Sequence, residues 1–94
     1  MRLMLRLRDF GSSFATRERA RELIRVLPGQ HVSSVDLDGV LCSPSFLAEL
    51  LTGLTAAGRI RVATTEPVMA AKVERMMIQL GLADTIELSC TVSA

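Results

Sequence analysis

The sequence predicts a small α/β domain built on a mainly parallel sheet of four to five strands with three to four helices. Two observations carry this prediction. Segments in which apolar and polar residues alternate are separated by segments whose apolar residues recur every three or four positions. The separating segments are also long enough to be crossover helices, so the strands they join pair parallel through right-handed connections. Residues that start or stop helices sit at the borders: Thr16, Pro28-Gly29, Ser43-Pro44, Gly58, Pro67 and Gly81.

The first strand is Leu3, Leu5 and Leu7 alternating with Met4, Arg6 and Arg8. The interleaved arginines make it a strand and exclude the apolar core of a signal peptide. Asp9–Ala15 (DFGSSFA) is turn-rich around Gly11 and offers a short second strand carrying Phe14. Thr16 then caps a helix through Leu27 with the stripe Ala20, Leu23, Ile24 and Leu27, ended by Pro28-Gly29. Glu18–Arg21 and Glu22–Arg25 are spaced as ion pairs on its outer face, worth a few tenths of a kcal/mol each.

A central strand follows, Val35 and Leu37 alternating with Ser34, Asp36 and Asp38. Gly39 breaks it. Ser43-Pro44-Ser45 opens the next helix with a capping hydroxyl and a proline at a position that needs no N–H. Leu47, Leu50, Leu51 and Leu54 form its stripe, and Gly58 is expected as its terminator. Arg59–Thr64 (RIRVAT) is the next strand. Pro67 starts a third helix with the stripe Met69, Val73, Met76 and Leu80, stopped by Gly81. Ile86, Leu88, Cys90 and Val92 alternate with polar residues as a last strand or a frayed tail. Because the strands alternate with Arg, Ser or Asp and are not unbroken apolar runs, one face of the sheet is expected to be only partly covered.

With 94 residues, 49% hydrophobic and 22% charged, the chain is read as one globular domain over residues 1–94. It has no Trp or Tyr and three Phe, so the core must be aliphatic and the usual stacking platform for single-stranded nucleic acid is missing. A net charge of +1 favours neither a nucleic-acid nor a membrane partner. Seven of the eleven basic residues precede Pro28, which reads as a solvated helix face. No apolar run is long enough to span a bilayer. Cys42 and Cys90 have no zinc or CxxC spacing, so reduced thiols in the cytoplasm and no metal or cofactor are expected. Cys42, just before a helix start, is either a thiol of lowered pKa or an inert one.

The chemistry concentrates at the end of the central strand. Asp36-Leu37-Asp38-Gly39-Val40-Leu41 resembles the first motif of haloacid-dehalogenase-type phosphatases. That resemblance implies Asp36 as nucleophile, Asp38 as general acid/base, Mg²⁺ to offset their charge, and Thr64 or Thr65 as a second-motif hydroxyl. That family also needs a lysine and a later acidic pair. Lys72, the one lysine, lies inside an amphipathic helix, and Asp84 and Glu87 are not adjacent. The plain alternative is that Asp38-Gly39 is ordinary turn chemistry.

A second match covers residues 3–82. An N-terminal strand ending DFGSSFATRERAREL, then VDLDGVLCSPSFLAELL, then GRIRVATTEP before a final helix resembles the STAS-like family of small α/β domains. That family is itself similar to the STAS domains of bacterial anti-sigma-factor antagonists. The matching positions are Thr16-Arg17, Asp36, Gly39-Val40, Ser43-Pro44-Ser45-Phe46 and Glu49. The resemblance implies a non-enzymatic regulatory module that binds an anti-sigma factor or a histidine-kinase-like ATPase through Asp38, Gly39, Ser43, Ser45, Phe46 and Glu49, with Thr16 and Arg17 in support. It also implies a serine at the helix start as phospho-switch. STAS domains usually carry an Asp-Ser-Ser/Thr-Gly sequence there; in this chain Ser45 falls beside the switch position and Phe46 at it. A phosphate on Ser43 or Ser45 would sit at a helix N-terminus, which favours an anion.

Each of these residues also has a plain reading. Ser43 is then an N-cap, Ser45 a first-turn residue, Phe46 core or a partly exposed anchor, and Glu49 a solvated residue or a partner of the Thr16-Arg17 region. A third reading is an assembly domain forming a homodimer through the bare sheet face or the strand edges. Met69, Met76 and Met77, at helical spacing, are either adaptable surface or core filler.

Overall fold

A computed structural model describes residues 3–27 and 32–91. Its order is β1 (Leu3–Arg6), a single 3₁₀ turn (Leu7–Asp9), β2 (Ser13–Phe14), α1 (Arg17–Val26), β3 (Val32–Asp36), β4 (Leu41–Cys42), α2 (Pro44–Thr55), β5 (Ile60–Thr64), α3 (Pro67–Leu80) and β6 (Ile86–Cys90). The main sheet has four strands in the order β1-β3-β5-β6, every pair parallel. β2 and β4 form a separate two-stranded parallel ladder.

A strand order that follows the chain order has a consequence for layering. Right-handed crossovers that always step in the same direction put every helix on the same side of the sheet. The exposure pattern agrees. Leu5, Val35 and Val62 lie side by side in register and are buried, with half-buried Leu88 completing the row. The flanking rows, Met4-Ser34-Arg61-Glu87 and Arg6-Asp36-Ala63-Ser89, face the other way and are half-buried to exposed. Arg61 and Glu87 pair across that open face at 3.2 Å. The face expected to be partly covered is therefore the one away from the helices.

Several local expectations hold. The Thr16 hydroxyl accepts the Arg19 N–H at 3.1 Å and caps α1. Ser43 caps α2 with Pro44 in its first turn. Leu47, Leu50, Leu51 and Leu54 are all buried. α3 ends on Gly81 at φ +69, the left-handed conformation a glycine takes without strain, and its N–H reaches the Ile78 carbonyl at 3.2 Å.

Others are corrected. β1 stops at Arg6 because Leu7–Asp9 tightens into the 3₁₀ turn, and β3 stops at Asp36. α2 ends at Thr55 on an Ala56 cap, so Gly58 lies beyond its terminus. Met77 replaces Leu80 in the buried stripe of α3, and Leu80 is exposed near the helix end. On α1, Arg19 pairs with Glu22 at 3.3 Å and Arg21 turns to Glu49 of α2, in place of the two expected pairs. α1 and α2 come close at Gly53, where a Cβ would run into the Ile24 side chain. Pro28-Gly29 and Val92 lie outside the described residues.

Candidate functional site

The site is assembled at the carboxyl ends of β3 and β5, where parallel α/β sheets generally hold their ligands. The Asp36 carboxylate is engaged on both oxygens. Oδ1 accepts the Asp38 N–H at 2.9 Å, which bends the chain out of β3, and Oδ2 accepts from Arg8 Nη1 at 2.8 Å. Gly39 completes the bend at φ +78. A side chain there would have room, since only Arg8 carbons at 3.9 Å and beyond approach, so it is the left-handed backbone that calls for glycine.

Asp38 reaches sideways to the next strand. Its Oδ1 accepts the Thr64 hydroxyl at 2.9 Å and the Thr65 N–H at 2.7 Å, and its Oδ2 accepts the Thr65 hydroxyl at 3.0 Å. The Thr65 N–H above all, then the two threonine hydroxyls and the charge of Arg8, hold this carboxyl below its usual range against an opposing effect of burial. Thr64 is buried, and its hydroxyl also accepts the Glu66 N–H at 3.1 Å. The two aspartates and the threonines of the phosphatase-like motif are thus brought together. They are consumed by one another and by Arg8, as a strap between the ends of β3 and β5. Lys72 lies on α3, beside the start of α2. Among the described residues no group of three or more His, Cys, Asp or Glu side chains is placed to hold a metal ion.

No family model, curated protein or solved structure matches this chain. Its site is therefore argued from its own residues.

Beyond the strap the chain runs through β4 into α2. The Leu41 and Ser43 N–H groups donate to the Ser12 and Phe14 carbonyls, both at 2.9 Å, which builds the β2–β4 ladder. The Ser43 hydroxyl accepts the Phe46 N–H at 3.1 Å and donates to the Ala15 carbonyl at 2.8 Å, so both its bonding functions are taken. Phe46 is fully buried against Phe14, ring centroids 4.9 Å apart, with the Arg19 guanidinium 5.7 Å from the Phe14 ring on the outside. This corrects the expectation of Phe46 as a partner contact. The first turn of α2 points it inward, and β2 supplies the aromatic neighbour that the sequence left unplaced.

Pro44 and Ser45 are exposed, and Leu41 is 71% exposed, a large apolar side chain left on the surface. Glu49 is paired with Arg21 at 2.7 Å, one turn further along α1 than the Thr16-Arg17 region. Thr16 caps α1, and Arg17 is an exposed first-turn residue. Cys42 is buried, which pushes its thiol up to about 11 and makes it the inert alternative; Cys90 is exposed.

Sequence reasoning missed Arg8 and Leu41. The signal for Arg8 was a cation two residues past the end of β1, where the 3₁₀ turn brings it to Asp36, legible only once β1 and β3 are known to pair. Leu41 stood in an apolar run and carried no signal of exposure.

Proposed function

We propose that this chain is a non-enzymatic regulatory protein-binding module, similar in action to the bacterial anti-sigma-factor antagonists. Its partner, an anti-sigma factor or a related histidine-kinase-like ATPase, docks on the Gly39–Ser45 loop and the first turn of α2. The observation that carries this reading is the contrast between the two serines beside exposed Leu41. Ser43 has its hydroxyl committed to the cap and to Ala15, whereas Ser45 stands open. Leu41 and Pro44 supply apolar area for a partner, and Ser45 is the hydroxyl that a kinase-type partner can reach. A phosphate on Ser45 sits in the first turn of α2, where the helix accepts an anion, while its charge repels an apolar partner surface. The module works in the cytoplasm; no helix among the described residues is long and apolar enough to cross a membrane.

The competing phosphatase reading draws on the grouping of Asp36, Asp38 and Thr64. It asks Asp36 to attack phosphorus while that carboxylate is bonded to Arg8 and to the Asp38 N–H. Nucleophilic catalysis needs an activated group, and this one is held in place by its partners.

The test uses the histidine-kinase-like ATPase domain encoded nearest this gene, titrated against wild type, Ser45→Ala and Ser45→Glu. Ser45→Glu is expected to weaken binding by about tenfold or more, with Ser45→Ala close to wild type. Equal affinity for all three, or no binding by wild type, contradicts the proposal.

A further inference from the structure

We propose that the groove between α2 and α3 is a docking site for an acidic amphipathic helix of a protein partner. The groove encloses about 290 Å³ and is lined by Pro44, Leu47, Lys72, Arg75, Met76 and Gln79. Its floor is apolar, since Met76 shows an edge at 8% exposure and Leu47 lies fully buried behind it. Its rim is cationic. Lys72 and Arg75 stand three residues apart on α3, hence as neighbours on the helix surface, where like charges repel. Neither forms an ion pair among the described residues. Glu74, the nearest acid in sequence, is two and one positions away from them and so faces elsewhere on the helix.

On the same side of α3, one turn before Lys72, Val68 is a large exposed apolar side chain at 72%. From Val68 to Gln79 that side of the helix runs roughly 16 Å along the axis, the length of a three-turn helix. An occupant that satisfies all of this has apolar residues at helical spacing over the groove and Val68, and carboxylates opposite Lys72 and Arg75. A second copy of this chain fits poorly, because α1 and α3 both offer arginine-bearing outer faces and would bring like charges together. Single-stranded nucleic acid would find no aromatic ring in the groove on which to stack. The inference extends the reading above, since Pro44 belongs to both surfaces, but it does not depend on Ser45.

The probe is a fluorescein-labelled acidic amphipathic peptide of about twelve residues, leucine at helical spacing and glutamate between. Its lysine counterpart and a single-stranded oligonucleotide serve as controls. Wild type is compared with Lys72→Glu/Arg75→Glu, with the milder Lys72→Ala/Arg75→Ala, and with Arg59→Glu, an exposed site just before β5, each checked for native circular dichroism. The acidic peptide is expected to bind wild type and Arg59→Glu alike, about tenfold or more weaker to the charge-reversed protein, with the alanine pair between them. Added salt should weaken binding. The proposal is overturned by no binding to wild type at about 1 mM. It is equally overturned by undiminished binding to the charge-reversed protein, by tighter binding of the lysine peptide or the oligonucleotide, or by self-association that the charge reversal abolishes. If Ser45→Glu leaves ATPase-domain binding intact while the peptide behaves as stated, the switch falls and the groove stands. Failure of the peptide alone removes the groove and spares the switch.

Discussion

Phe46→Ala is expected to lower the unfolding free energy by about 3–5 kcal/mol. The ring is wholly buried, stacks at a tilt on Phe14, and joins α2 to the β2–β4 ladder on which the Gly39–Ser45 loop rests. Removing it deletes one of only three phenylalanines and opens a cavity in a core whose one other ring is Phe14. A domain of this size has on the order of 5–15 kcal/mol in total, so the loss is a large fraction of its stability. Urea unfolding measures it, with Ser45→Ala as the neighbouring surface control within about 0.5 kcal/mol of wild type. A Phe46→Ala cost under about 1 kcal/mol would place the ring outside the core and reopen its role as a partner contact.

Asp38→Ala is expected to cost about 2–3 kcal/mol, because three hydrogen bonds to one carboxylate disappear and the buried Thr64 hydroxyl loses its acceptor. Asp38→Asn keeps the shape and removes the charge, so it isolates the part that depends on pH. The folded carboxyl titrates below its unfolded value of about 3.9. Its contribution is therefore fully present above about pH 4 and is lost as the pH falls through the lower, folded value. Wild type should exceed Asp38→Asn in stability at about pH 7, and the gap should close in acid below the folded value. A gap that stays constant through that acid range would mean that the carboxylate is not the strap described here.

The fold class was legible because long elements carry their own period. The four leucines of α2 and the alternation in RIRVAT need no tertiary information. The open sheet face was legible for the same reason, as Met4, Arg6, Ser34, Asp36, Arg61 and Glu87 interrupt the strands on one side. What was not legible depends on partners distant in sequence. β4 is two residues long and exists only because Ser12 and Phe14 offer it carbonyls. Arg21 left its expected pair on α1 for Glu49 because packing against α2 brought a closer carboxylate. Leu80 stood at helical spacing from Met76 but is the last residue of α3, beside the Gly81 cap, so Met77, one turn inside, took the buried place.

The same limit applies to the site. Asp36-Leu37-Asp38-Gly39 reads equally well as a reaction centre or as a turn, because the sequence does not say where the four carboxylate oxygens find their donors. Arg8 comes from the turn that follows the neighbouring strand β1, and Thr64 and Thr65 from the end of β5 on the other side. Their approach ties the motif into a strap between the ends of β3 and β5. The serines differ in the same way, since the acceptor that occupies the Ser43 hydroxyl is the carbonyl of Ala15, twenty-eight residues away.

The central claim is that Asp36 and Asp38 hold the sheet end together and that the surface beside them binds a partner without chemistry. Release of p-nitrophenol from p-nitrophenyl phosphate in the presence of Mg²⁺ tests it most directly, with wild type set beside Asp36→Asn. The account predicts the same background rate for both proteins. Turnover by wild type that disappears in Asp36→Asn would contradict it.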